Sequence, residues 1–346
     1  MSKQKIKVGV LGCTGAVGQK LISLLEDHPL FEITAIAASE NSAGKIYKDV
    51  VNWLEAKDIP ASVAGMTIQK CLPGLDCKIV FSGLDSKVAG EIEQNMALHG
   101  YVVISNSKNH RMVDEVPLVI PEVNAEHLQL IQKQSGQFKC KEGGMIITNP
   151  NCSTVVLCVS LFPIYKCFGL SKVVVTTMQA ISGAGYPGVP SLDILGNVIP
   201  YISEEEGKIE TETLKILGKY DSGAIKFASI KISAMCNRVA VKDGHTMSIS
   251  FETERKASKE EILKCIEEYN REVKVDFDVL RYFDNPARPQ PLLDAAKGKG
   301  MTVSVGNLRE CSVLDWKMTA LGHNTIRGAA GAAIINAEYL LRKGLV

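Results

Sequence analysis

Along the first part of the chain, short runs of apolar residues alternate with amphipathic stretches. IKVGVLG, EITAIAAS, CKIVFSGL and YVVISNS read as strands, while VGQKLISLLEDH and AGEIEQNMALHG repeat their apolar positions at helical spacing. Strands that are apolar throughout, separated by helices, suit a parallel sheet covered on both faces, so this region predicts a doubly wound, Rossmann-type α/β domain. The texture changes near residue 150. SKVVVTTMQAIS, IKISAMCNRVAV and HTMSISFETE alternate with a period of two, and SKEEILKCIEEYNREV carries a Ser start signal and helical periodicity. This second region predicts an α+β domain with a mainly antiparallel sheet. The final segment, NTIRGAAGAAIINAEYLLRKG, reads as one long helix whose Ala/Gly face allows close approach to another backbone.

With 346 residues, of which 46% are hydrophobic and 22% charged, the chain is long enough for about two domains. Thirty-nine Lys+Arg face 38 Asp+Glu for a net charge of +1, without a block of like charge. That balance disfavours nucleic acid and membrane surfaces as partners and favours a small molecule. The ten cysteines show no C-x-x-C pairing, so no zinc site is expected, and they read as free thiols of a reducing compartment. The opening MSKQKIKVGVLG lacks the features of a signal peptide, and no apolar run reaches about 18 residues. A soluble cytoplasmic protein is the expectation.

The first strand runs into Gly12-Cys-Thr14-Gly15-Ala16-Val17-Gly18, a G-x-x-G-x-x-G turn that opens a helix. Glycines there permit a tight turn, and the amides of a helix N-terminus can hold a pyrophosphate. The second strand ends in Ser39-Glu40-Asn41-Ser42-Ala43-Gly44-Lys45. Hydroxyls with a nearby Lys suit the 2′-phosphate of NADP, whereas Glu40 would repel it.

Cys152, in Asn149-Pro150-Asn151-Cys152-Ser153, follows a strand-like MIITN and precedes an apolar helical run. A thiol at a helix N-terminus is expected to have a lowered pKa, and the amides around it to stabilise an oxyanion. His245 stands at a Gly-marked turn between strands and is a candidate acid/base that titrates near neutrality. Arg238, seven residues earlier, offers a planar fork for a carboxylate. Each has a plainer reading, as an ordinary buried thiol, a solvated turn histidine and a surface ion-pair partner. Together, a thiol, a nicotinamide cofactor and an acid/base suggest a thioacyl enzyme whose carbonyl exchanges hydride.

The ordered motifs VGVLGCTGAVG, FSGLDS, SNSKNHRM, PLVIPEVN, NPNCST, QAISGAGYPGV, RVAVKDGHT, NPARPQP and LGHNTIRGAAGAA run the length of the chain. Through them the sequence resembles the aspartate-semialdehyde dehydrogenase family, most closely its archaeal/fungal-type branch. The resemblance implies NADPH-dependent reduction of L-aspartyl 4-phosphate to aspartate 4-semialdehyde and phosphate, on the route to lysine, threonine, methionine and isoleucine. It implies Cys152 as nucleophile, His245 as general acid/base and Gln179 as the residue orienting the intermediate. Arg238 would hold the substrate α-carboxylate, Glu205 its amino group, and Arg111 with Lys208 and Asn106 the phosphate.

For NADP it implies Gly12, Thr14, Gly15, Ala16 and Val17 at the pyrophosphate, and Ser39 and Ser42 near the 2′-phosphate. Ser182, Gly183 and Asn324 would lie at the nicotinamide. It also implies a cofactor domain 1–150 completed by a returning helix 325–346, a catalytic and dimerisation domain 151–324, and a homodimer or homotetramer. Two rivals share the scaffold: malonyl-CoA reductase, and N-acetyl-glutamyl-phosphate reductase, against which Arg238 and the acidic cluster around Glu205 count. A catalytically silent dinucleotide-binding protein is the third reading.

Overall fold

The computed structural model describes residues 4–346 apart from 138, 139, 141, 142 and 274. The first sheet is wholly parallel, with strands β1 (Ile6–Leu11), β2 (Phe31–Ala38), β3 (Gln69–Lys70), β4 (Ile79–Ser82), β5 (Val102–Ser105) and β6 (Met145–Thr148). Their order, β3-β2-β1-β4-β5-β6, is doubly wound, with the connection reversing direction beside β1. In such sheets ligands bind outside the carboxyl ends of the strands at that switch point. Helix Ala16–Leu25 starts there, directly after β1. Helix Ser86–Leu98, capped by Asp85, which accepts from Lys87 N–H, packs beside β5 and β6.

The second sheet contains β7 (Lys172–Gln179), β8 (Val198–Ile199), β11 (Lys231–Val239), β12 (His245–Glu252), β13 (Leu280–Phe283), β14 (Val303–Glu310) and β15 (Trp316–Gly322). A separate hairpin is formed by β9 (Lys219–Asp221) and β10 (Ala224–Lys226). The sheet order is β13-β14-β15-β12-β7-β11-β8. Four of its pairings are antiparallel, and β7 with β11 and β13 with β14 are parallel. The sheet is therefore mainly antiparallel, as the alternating patterns predict.

Helix Cys152–Phe168 is buried over most of its surface, which its apolar sequence requires, and it packs against β12, β14, β15 and helix Lys259–Glu272. The latter begins with a capping box in which Ser258 Oγ accepts from Glu261 N–H and Glu261 accepts from Ser258 N–H. Where these two helices meet, Cys167 and Cys265 form a disulfide. This corrects the expectation that all cysteines are free. The partners lie 98 residues apart, so only helix packing, and no spacing in the sequence, brings them together.

The C-terminal segment also departs from the single long helix expected. Ile326–Ala330 is a π-helical turn, with Gly328 N–H donating to His323 O and Ala330 N–H to Thr325 O, and the α-helix proper spans Gly331–Arg342. Extra backbone per turn lets Gly328 lie against Cys152. Ala330, Ala333, Ile334, Ala337 and Leu340 join the core of the parallel sheet, so the chain ends by packing on its first domain. Among the described residues, no helix is long and apolar enough to cross a membrane, and no group of His, Cys, Asp and Glu is placed to hold a metal.

Candidate active site

Strand β6 ends at Thr148, and the turn Asn149-Pro150-Asn151 leads into the helix that Cys152 begins. Asn151 is the N-cap, and its Oδ1 accepts from Ser153 N–H at 2.9 Å and Thr154 N–H at 3.2 Å. Strand β12 starts with His245, whose Nε2 lies 3.1 Å from Cys152 Sγ. On the other side of the ring, Ala180 N–H donates to His245 Nδ1 at 3.1 Å. A backbone donor on Nδ1 assigns the neutral ring its proton on Nε2, facing the sulfur. Two glycines let the surroundings close in. A Cβ on Gly183 would stand 3.0 Å from both Arg238 Nη1 and His245 Cε1, and one on Gly328 would stand 2.6 Å from Cys152 Cβ.

This enclosure sets the electrostatics and reverses two expectations. His245 is fully buried, not exposed at a turn, because β7 and β15 flank β12 on either side. Burial, aided by the Arg238 and His323 charges, pulls its imidazole down to about 3. The Cys152 sulfur borders the cavity, but the protein surrounds it otherwise. Burial, with Glu205 adding, pushes the thiol up to about 12 against the opposing pull of Arg111, Arg238 and Ser153 N–H. Helix-end amides lower a thiol's pKa only by a local field, whereas desolvation penalises the thiolate from every side. The resting pair is a neutral thiol beside a neutral imidazole.

Gln179 ends β7 and lies beside Arg238 in the parallel register of β7 and β11. Arg238 Nη1 donates to Ala180 O at 2.8 Å, and Gln179 Nε2 lies 3.4 Å from Glu205 Oε2. Glu205 begins helix Glu205–Ile216 and turns inward, while Glu204, at φ 61°, pairs outward with Lys108. The Glu205 carboxylate accepts from Asn151 Nδ2 at 2.9 and 3.1 Å and from Lys208 Nζ at 2.9 Å. Lys208 therefore stands behind Glu205 and does not line the cavity.

Arg111 donates from Nη1 to Glu212 at 2.9 Å and from Nη2 to Asn106 O at 2.7 Å, and its Nε has no partner among the described residues. Asn106 is held by a relay in which Asn336 donates to Asn149 Oδ1 and Asn149 donates to Asn106 Oδ1. Asn324 accepts from Gly244 N–H and donates to Ser182 Oγ.

A cavity of about 350 Å³ gathers Ala16, Val17, Asn106, Arg111, Cys152, Gln179, Ser182, Gly183, Glu205, Arg238 and Asn324. Its rim is the glycine-rich turn. Gly12 sits at φ +76°, and a Cβ there would be 2.8 Å from Gly83 O, while one on Gly18 would be 2.2 Å from Gly12 O. Gly15 caps helix Ala16–Leu25 without a side chain, which leaves the first-turn amides uncapped. Thr14 lies in this turn, and its carbonyl accepts from the buried Gln19. A cradle that side chains would fill, next to open helix amides, fits a dinucleotide pyrophosphate. Ser39 and Ser42 lie apart from the cavity, on the exposed turn after β2.

Sequence reasoning missed Asn151, Glu212 and Gly328. Asn151 carries a usable signal, because an Asn directly before an apolar helix is a cap. Glu212 carries none, since in sequence it is one more charge on an amphipathic helix.

Two family models match the chain, the semialdehyde dehydrogenase NAD binding domain over residues 7–131 and the semialdehyde dehydrogenase dimerisation domain over residues 161–327. The aspartate-semialdehyde dehydrogenase of Archaeoglobus fulgidus is 46% identical, over 99% of this chain and 100% of that protein. That of Saccharomyces cerevisiae is 43% identical, with 100% of each chain covered. The crystal structure of the Candida albicans aspartate-semialdehyde dehydrogenase with NADP superposes with a TM-score of 0.90 at 43% identity, covering 99% of this chain and 100% of that one. With nucleotide cradle, thiol–imidazole pair and both domain models in one continuous match, the chain belongs to the aspartate-semialdehyde dehydrogenase family.

Proposed function

We propose that the protein reduces L-aspartyl 4-phosphate to L-aspartate 4-semialdehyde with NADPH, releasing phosphate through a thioester on Cys152. The observation that carries this reading is the 3.1 Å approach of Cys152 Sγ to His245 Nε2, at the wall of a cavity that reaches the glycine-rich turn. NADP, the ligand of the Candida albicans relative, suits the cradle of Gly12, Gly15 and Gly18, with Ala16 and Val17 at its amides and Ser182, Gly183 and Asn324 at its cavity end. Ser39, which is exposed, and Ser42, which is half-buried, are the candidates for the 2′-phosphate. When bound, the nicotinamide supplies the hydride.

The protein's own residues do the rest. Cys152 sulfur bonds to the acyl carbon, the carbon–oxygen bond to phosphate breaks, and the thiol proton leaves with the phosphate. Arg111, with an unpartnered Nε, and Asn106 stand where a departing dianion needs donors. Arg238, which keeps donors beyond its Ala180 contact, takes the α-carboxylate, and Glu205 draws the α-amino group. Gln179 orients the acyl oxygen from the adjacent strand end. His245 presents Nε2–H to the sulfur and to the oxyanion that develops beside it. With Nδ1 taken by Ala180 N–H, the ring acts here through Nε2–H, as the donor that steadies the negative charge on sulfur and oxygen. Collapse of the thiohemiacetal breaks the carbon–sulfur bond and frees the aldehyde.

The face of the second sheet opposite helix Cys152–Phe168 carries Val174, Thr176, Met235 and Ser248, with Val174 and Met235 about half exposed. A second copy covering this face fits the family's dimerisation domain, as a homodimer or as half of a homotetramer.

The test runs in the oxidative direction, with aspartate semialdehyde, phosphate and either NADP or NAD, following absorbance of the reduced nicotinamide. Phosphate-dependent reduction of NADP, lost in Cys152→Ser, is expected. No reduction with either cofactor, together with turnover of malonyl-CoA by NADPH, would move the function to a coenzyme A thioester.

A further inference from the structure

Helix Glu205–Ile216 carries Glu205, Lys208, Glu212 and Lys215 at steps of three, four and three, which sets them along one face. The last of these is a lysine buried to 1% exposure. Its ammonium donates to the carbonyls of Arg111 at 2.8 Å, Val113 at 2.8 Å and Val116 at 3.0 Å, which uses all three of its hydrogens. One turn earlier, Glu212 accepts from the Arg111 guanidinium at 2.9 Å and from Asn151 N–H at 2.7 Å. The helix therefore grips Arg111 twice, by its side chain and by its carbonyl, and through Asn151 it also touches the cap of the Cys152 helix. The gripped segment, residues 108–116, has no strand or helix of its own to fix its path. An ammonium at the centre of its turn supplies that path.

We propose that Lys215 is a positioning residue for the phosphate: it holds the Arg111–Val116 segment against helix Glu205–Ile216, and so sets where the Arg111 guanidinium stands relative to Cys152. This rests on the reading of Arg111 as a phosphate partner. An apolar residue of equal length would fill the space but would leave the Arg111 and Val116 carbonyls without donors and Val113 O with only Val116 N–H. The charged groups facing Lys215 are Glu212 on its own helix, Arg111, Asp114 and Glu115 on the held segment, and His127 from the turn Ala125–Leu130. Burial pulls the ammonium down to about 8, against the three carboxylates. Loss of its proton removes one donor and the charge that strengthens the other two bonds, so phosphate affinity falls as pH rises through this range and not near the ordinary lysine value.

The test measures the phosphorylating oxidation of aspartate semialdehyde by NADP in Lys215→Met, Arg111→Met and the unaltered protein. For Lys215→Met, the KM for phosphate is expected to rise about tenfold, with the KM values for semialdehyde and NADP within about twofold and Cys152 alkylation unchanged. A phosphate KM within about twofold of the unaltered protein, or an equal worsening of every parameter, would overturn the proposal. Should Lys215→Met fail to fold, the pH dependence of the unaltered protein decides: the phosphate KM rises several-fold between about pH 8 and 9.5, and a flat profile overturns the proposal. An Arg111→Met variant with normal phosphate KM would instead refute the reading of Arg111. A raised KM there, with none in Lys215→Met, would refute only the positioning role.

Discussion

Alkylation of Cys152 by iodoacetamide in the cofactor-free protein measures directly how far burial outweighs the helix N-terminus. With the thiol at about 12, about one molecule in ten thousand is thiolate at pH 8, against roughly a quarter for a solvated thiol near 8.5. A more basic thiolate is also a better nucleophile, with a Brønsted slope of about 0.4–0.5, which recovers roughly fortyfold. The net expectation is a rate on the order of sixtyfold below that of a free thiol at pH 8, climbing about tenfold per pH unit without a plateau to about pH 9.5. His245 adds no inflection between pH 6 and 9, because its own titration lies at about 3.

An internal standard is present in Cys311, whose thiol is lowered by the N–H groups of Leu314 and Val313. Mass spectrometry of the two peptides should find Cys311 labelled first. Addition of NADP, with its positively charged ring, should accelerate the labelling of Cys152. A plateau below about pH 8 would refute the reasoning, for it would mean that Cys152 is already ionised beside an imidazolium.

Gly328→Ala places a Cβ 2.6 Å from Cys152 Cβ and 2.9 Å from its Cα. Overpacking of this kind costs about 1–3 kcal/mol, and displacement of Cys152, the proposed nucleophile, should lower kcat about tenfold or more while NADP still binds by fluorescence titration. An unchanged kcat would show that the π-turn yields freely. Glu93 is fully buried, accepts from Ser105 Oγ at 2.8 Å, and is pushed by burial to about 7. Because the folded carboxyl holds its proton more tightly than the unfolded one, stability falls as pH rises from about 4.5 to about 7 and stays lower above it, by roughly 3 kcal/mol at most. Glu93→Gln should therefore melt a few degrees higher than the unaltered protein at about pH 8 and equally at about pH 4.5. A lower melting temperature at about pH 8 would contradict this.

The parts of the site legible in the sequence are those fixed by neighbours along the chain. A glycine turn between strand and helix, and Asn151-Cys152 ahead of an apolar helix, state their geometry in a few residues. What the sequence hides is set by distant packing. His245 reads as a turn residue until β7 and β15 enclose it, and Cys167 and Cys265 read as core thiols until two helices meet. Glu212 and Lys215 look like the solvated side of an amphipathic helix. Only the placement of that helix against residues 108–116 turns them into the grip on Arg111. The π-turn is hidden in the same way, because GAAGAA fits an unbroken helix and only the contact with Cys152 demands otherwise.

The uncharged resting pair has a consequence for how the site receives an anion. Among the described residues, no carboxylate comes within ion-pair distance of Arg238, which is held only by Ala180 O, and Arg111 keeps a free Nε despite its pairing with Glu212. Were Cys152 a thiolate at rest, it would draw both guanidiniums toward itself and compete with the carboxylate and phosphate of the substrate. With the thiol neutral, Arg238 keeps its remaining donors and Arg111 its Nε, which on the proposed reading are left for the substrate's anionic groups. A neutral thiol at rest thus favours binding at the expense of immediate reactivity. On the proposed reaction, Cys152 would give up its proton only in the assembled complex, where a bound oxidised nicotinamide would supply positive charge near the sulfur.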